Sequence, residues 1–147
     1  MSEKLTQEEA ERLLNMLKKS LIEYLMLPQK GDKVEFDVCG DNKKDLFSIN
    51  VFRGKINGNK INYNARIKSN GIMLLELHIN ATNRHINPDG TIITGSHWHI
   101  YKEGFGNRYA FPADDIEDSN FVQNTIDFLD EFNVIEKPVI HCQSEIL

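Results

Sequence analysis

The sequence predicts an α+β domain: an N-terminal helix, a curved antiparallel sheet of about six strands and a C-terminal helix. Three observations carry this. A helix-start signature and 3-4 apolar spacing occupy the first 25 residues, the period changes to two from Lys33, and helical spacing returns after Pro112.

Thr6-Gln7-Glu8-Glu9 is a capping box, in which the Thr6 hydroxyl and the Glu9 carboxylate satisfy free N–H groups at a helix start. Ala10, Leu13, Leu14, Leu17, Leu21, Tyr24 and Leu25 then form one apolar stripe, with acids early and Lys18-Lys19 late, and Pro28 is the expected stop. From Lys33, Val34, Phe36 and Val38 alternate with polar residues, giving the first strand. Leu46 to Arg53, Lys60 to Lys68 and Ile72 to Ile79 are the next three, joined by turns rich in Gly and Asn. In the Lys60 strand Ile61, Tyr63, Ala65 and Ile67 face the core, so Arg66 and Lys68 fall on a second, polar and basic face.

Asn87-Pro88-Asp89-Gly90 is a chain reversal, since proline presets φ at one central position and glycine accepts the left-handed conformation. His97-Trp98-His99-Ile100-Tyr101 alternates as a strand, placing His97, His99 and Tyr101 on one accessible face and Trp98 with Ile100 on the core face. A hairpin through Glu103 to Asn107 leads to Arg108–Phe111. The closing helix carries Phe121, Thr125, Phe128, Leu129 and Phe132 on one side, with Asp118 or Ser119 as cap and Asn133 as terminator. Lys137 to His141 adds a short edge strand.

At 147 residues the chain suits one domain, 1–147, with a full hydrophobic core. A net charge of −5 argues against a surface that binds nucleic acid over its whole extent, while a local basic face remains compatible with it. Cys39 and Cys142 lack metal-type spacing and read as reduced thiols. With no signal peptide and no apolar run of the ~20 residues that span a membrane, the expectation is a cytoplasmic protein with no membrane partner.

Chemistry concentrates around the histidines. His85, His97 and His99 lie within fifteen residues, with His78 just before them. As a metal site, His97-x-His99-x-x-x-Glu103 matches the first half of the cupin pattern, with His85 or His78 as a further imidazole. The second half of that pattern is absent, so neither bound metal nor another cofactor is expected. As a phosphate site, His97-Trp98-His99-Ile100-Tyr101 is similar to the histidine-triad motif, with Tyr101 in place of its third histidine. That resemblance implies His99 as nucleophile. The favoured reading is looser: His85, His97 and His99 as metal-independent acid and base toward RNA or a nucleotide, with Arg84 and Lys102 steadying phosphate. Arg66, Lys68 and Tyr101 supply charge and a stacking surface to a single strand. The same histidines also fit a structural cluster bonding loop carbonyls.

With His85-x-Asn87-Pro88-Asp89-Gly90 and His97-x-His99-Ile100-Tyr101-x-Glu103-Gly104 in view, the whole chain resembles a family of small bacterial and prophage-borne proteins of unknown function. The resemblance implies a mobile-element setting. In such a setting a non-catalytic binder of a host or phage protein, acting in toxin–antitoxin, defence or counter-defence systems, competes with the phosphate reading, and the acidic charge suits it.

Overall fold

The computed structural model describes residues 4–116 and 120–142. Its elements are α1 (Gln7–Asn15), β1 (Lys18–Ser20), β2 (Tyr24–Leu27), β3 (Lys33–Cys39), β4 (Leu46–Arg53), β5 (Ile61–Ile67), β6 (Met73–Ile79), β7 (His85–Ile86), β8 (Ile92–Ile93), β9 (His97–Ile100), β10 (Ala110–Pro112), α2 (Phe121–Glu131), β11 (Val134–Glu136) and β12 (Val139–Cys142).

The fold is α+β, as the sequence predicts, but the main sheet has eight strands rather than about six, in the order β10-β9-β6-β5-β4-β3-β1-β11. All its pairs are antiparallel except β1 with β11. Two small two-stranded sheets, β12-β2 and β7-β8, flank it. Both helices cover one face. Phe128 of α2 stacks on Tyr63 at 5.2 Å and on Trp98 at 6.2 Å, and Phe132 meets Phe47 edge-on at 5.3 Å. Ala10 and Leu13 of α1 join the same core as Val51, Ile61, Leu75, Leu77 and Trp98.

The extra strands come from a correction at the N-terminus. Half of the capping box forms: the Thr6 hydroxyl accepts from Glu9 N–H, while the Glu9 carboxylate is taken by the Arg12 guanidinium, and the helix stops at Asn15 instead of running to Leu25. Lys18 explains the stop. Its side chain turns inward and its Nζ donates to the carbonyls of Leu14, Met16 and Phe132 at 3.1, 3.0 and 2.8 Å, tying the C-terminal ends of both helices together. Burial pulls the Lys18 ammonium down to about 7, and the ammonium lies 3.8 Å over the Phe132 ring. The chain beyond pairs with β3 and β11, and of the second half of the expected stripe Leu17, Leu21 and Tyr24 end up exposed while Leu25 is buried. A helical apolar period and a pair of short half-buried strands use the same residues. Long-range pairing decided between them.

Three smaller corrections follow from tertiary contacts. Alternation along Ile72 to Ile79 puts Met73 with Leu75, Leu77 and Ile79 on the core face, but a bulge between Ala65 and Arg66 sets Met73 opposite Arg66 and only part-buried, while Leu74 is fully buried. The cap of α2 is Asn120, whose side chain accepts from Gln123 N–H; the expected caps Asp118 and Ser119 lie outside the described residues. Asn133 ends the helix at φ +63°, as expected of a left-handed terminator. The tail does form a strand, β12, but it runs parallel to β2, inside the segment expected to be helical.

Candidate metal centre on the open face of the sheet

Strand alternation decides which side chains reach the face opposite the helices, and register decides which become neighbours. On β6, Glu76 and His78 occupy that face; on β9, His97 and His99 do. Antiparallel pairing sets Glu76 beside His99 and His78 beside His97, a square of four polar groups on two adjacent strands. Asn64 and Asn62 of β5 continue the two rows.

The fifth member arrives by a loop. Gly90 adopts φ +91°, and the Asn87–Thr91 turn closes with Asn87 N–H to Thr91 O at 2.8 Å. The buried Asn87 side chain then grips the edge strand β10, accepting from Ala110 N–H at 2.7 Å and donating to Ala110 O at 3.0 Å. This folds the β7-β8 hairpin over the sheet and sets the His85 ring 4.8 Å from His99 and 6.0 Å from His97. His78 lies 5.1 Å from both, and His97 and His99 are 4.9 Å apart. One ring nitrogen from each of His78, His97 and His99 lies within 4.8 Å of the others.

Hydrogen bonds assign the tautomers. His97 Nδ1 faces Gly95 O at 2.8 Å and His99 Nδ1 faces Asn107 O at 2.7 Å. A carbonyl only accepts, so each Nδ1 carries the proton and each Nε2 keeps its lone pair. His78 Nε2 donates to the Glu76 carboxylate at 3.3 Å, and the Asn107 amide binds the other Glu76 oxygen. His85 Nε2 donates to Arg108 O at 2.8 Å. Burial holds His99 down at about 4 and lowers His97 as well, so both imidazoles are neutral near pH 7. Burial pushes the Glu76 carboxyl up, but hydrogen bonds from His78 and Asn107 outweigh it and the net shift is downward. The result is two neutral imidazoles, His97 and His99, with oriented lone pairs beside a third, His78, that is held by an ionised carboxylate, the arrangement typical of ligating histidines and their outer partners.

The residues singled out in the sequence divide into two groups. His85, His97, His99 and Arg84 line one cavity of about 360 Å³, together with His78, Glu76, Lys60 and Asn107. Tyr101, Lys102, Arg66 and Lys68 do not line it. Tyr101 is buried, its hydroxyl bonded to Leu5 N–H and C=O, so it anchors the start of α1 and offers no stacking surface. Lys102 lies 4.4 Å over the Tyr109 ring. Lys68 is paired with Asp37, and Arg66 sits between Ser48 and Met73 in register. Glu35 and Asp37 lie on the same side, Glu35 accepting from the Ser48 hydroxyl and Asp37 pairing with Lys68, so the Arg66–Lys68 end of that face carries acids as well as bases. The face is not fully accessible at its histidine end, where His97 is 3% and His99 7% exposed. Glu103, the carboxylate of the cupin-like spacing, turns the other way and accepts from Gln7 N–H at 2.7 Å at the start of α1. The site carboxylate is Glu76.

Sequence reasoning noted His78 only as an alternative ligand and missed Glu76 and Asn107. The alternation of β6 placed Glu76 and His78 on one face, but only the pairing of β6 with β9, across the intervening hairpin, makes them neighbours of His97 and His99. No helix among the described residues is long and apolar enough to cross a membrane. No curated protein and no solved structure matches the chain. Across residues 5–134 it matches a family of unknown function (DUF6978), and the chain belongs to that family.

Proposed function

We propose that the chain is a metalloprotein in which His78, His97 and His99 hold one divalent transition ion, zinc suiting a set of three imidazoles best. The observation that carries this is the convergence of three imidazole nitrogens within 4.8 Å, with the orienting hydrogen bonds already made. Ligands on a tetrahedral zinc at ~2.1 Å stand roughly 3.4 Å apart, so side-chain rotations on the order of 1 Å bring the set to bonding distance. Three protein ligands leave one position for water or substrate, the pattern of catalytic rather than structural zinc. An ion there polarises what it binds. Glu76 orients His78, and His85 is the nearby imidazole left over for proton transfer. The third ligand, supplied by the neighbouring strand, is what changes the sequence-based expectation of no metal.

Elemental analysis after growth in zinc-supplemented medium and extensive dialysis tests it. About one equivalent in the parent, lost in His97→Ala/His99→Ala and in His78→Ala, supports the centre; less than about half an equivalent in the folded parent overturns it. Metal-free acid and base chemistry by His85, His97 and His99 on RNA or a nucleotide uses the same imidazoles without the ion. Cleavage that persists in chelator and disappears in His99→Ala marks that reading instead.

A second reading, an interaction module of the kind mobile elements carry, is favoured by a separate observation. Leu21, Tyr24, Met26 and Val139 are each at least half exposed, and Tyr24 pairs with Val139 in the small β12-β2 sheet. Retention by a host or phage protein that is abolished by Tyr24→Glu/Met26→Glu supports it, and unchanged retention removes this surface from consideration.

A further inference from the structure

We infer that the free position of the histidine centre takes a phosphate-bearing ligand whose oxygens are shared between the ion and the side chains of Lys60 and Arg84. The inference rests on the metal reading above and names the ligand class of that same cavity.

Charge is the first support. The chain as a whole carries −5, yet the cavity around the histidines brings together Lys60, Arg84 and a single carboxylate, Glu76. Both Glu76 oxygens are already engaged, one by His78 and one by Asn107. Among the described residues Lys60 Nζ meets only the neutral Thr82 hydroxyl, at 3.3 Å, and the exposed Arg84 makes no ion pair. Two cations without a counter-charge beside a divalent ion make the mouth of the cavity attractive to an anion.

Oxygen count is the second support. The ion, the ammonium and the guanidinium are three separate acceptors of negative charge. A carboxylate has two oxygens to offer them, whereas a phosphate offers three or more, and a guanidinium matches phosphate in a two-pronged contact. The cavity volume of about 360 Å³ is of the size that holds an organic group as well as its phosphate, which points to an ester. Asn62 and Asn83 add neutral amides to the same wall.

The test uses the full chain loaded with cobalt(II), whose visible bands report on the ion's fourth position. Inorganic phosphate and adenosine monophosphate are each titrated into it, with acetate as comparison, while metal content is measured on the same samples. The expected result is a saturable band shift with both phosphates, at least about tenfold weaker with acetate. Lys60→Met and Arg84→Ala should each weaken phosphate at least about threefold, and together about tenfold, with cobalt content unchanged. A loaded protein whose bands ignore phosphate, that binds acetate equally well, or whose double variant binds phosphate like the parent overturns the inference and leaves the metal centre standing. A folded protein that retains no cobalt refutes the metal reading itself, and this inference falls with it.

Discussion

Replacing Asn87 by alanine removes one amide yet releases a whole flank of the site. The side chain is 6% exposed, and both of its polar atoms bond the backbone of Ala110, itself 1% exposed, on the outermost strand of the main sheet. Asn87 therefore stands in for the next strand. In the alanine variant the N–H and C=O of Ala110 lose their partners in a buried setting, each at about 1–3 kcal/mol, and partial water entry recovers some of this. A net loss of about 3 kcal/mol lowers Tm by roughly 6–12 °C for a chain of this size. The exposed Asn83→Ala serves as control and should stay within about 0.5 kcal/mol of the parent. Urea and thermal denaturation give the stability, and imidazole NMR gives the second readout. The His85 ring should lose its shielding by His99 while His97 and His99 keep their carbonyl bonds, because Gly95 and Asn107 lie outside the turn that Asn87 holds. A variant melting within about 2 °C of the parent would refute the reasoning that Asn87 caps the sheet edge and places His85.

Trp98→Ala should cost about 3–5 kcal/mol through the cavity left against Phe128, read by denaturant midpoint; parent-like stability would mean that the core face of β9 is misassigned. Lys18→Met keeps the aliphatic stem but strips three carbonyls of their donor, so a loss of about 2–4 kcal/mol is expected, with the ends of α1 and α2 exchanging amide hydrogens faster; unchanged exchange there would count against the tie. In chelator-treated protein, His99 binds fewer protons folded than unfolded between about 4 and its ordinary 6.5, so its contribution is complete above 6.5 and lost as the pH falls toward 4. His97 shifts in the same direction, so Tm should drop between pH 7 and pH 5, and a flat profile would contradict a buried, neutral pair.

What the sequence determined by itself is local. Alternation from Lys33 to Ile79 identified β3 to β6, and the strand at Leu46–Arg53 matches its boundaries to the residue, because a strand buried on one face must repeat every second residue. The Thr6 cap, the turn at Asn87–Gly90, the stop at Asn133 and the core side of Trp98 were legible for the same reason: each depends on a few adjacent residues. Tertiary structure decided everything that depends on which segments meet. Leu17 to Leu25 satisfies a helical period, yet a buried lysine and two strand partners made it strands. Tyr101, Lys68 and Glu103 carried the right chemistry for a site, but their partners at Leu5, Asp37 and Gln7 took them elsewhere. His78 and Glu76 became the histidine site's third imidazole and its carboxylate only when β6 paired with β9 in one register, since a one-residue slip would have turned both into the core.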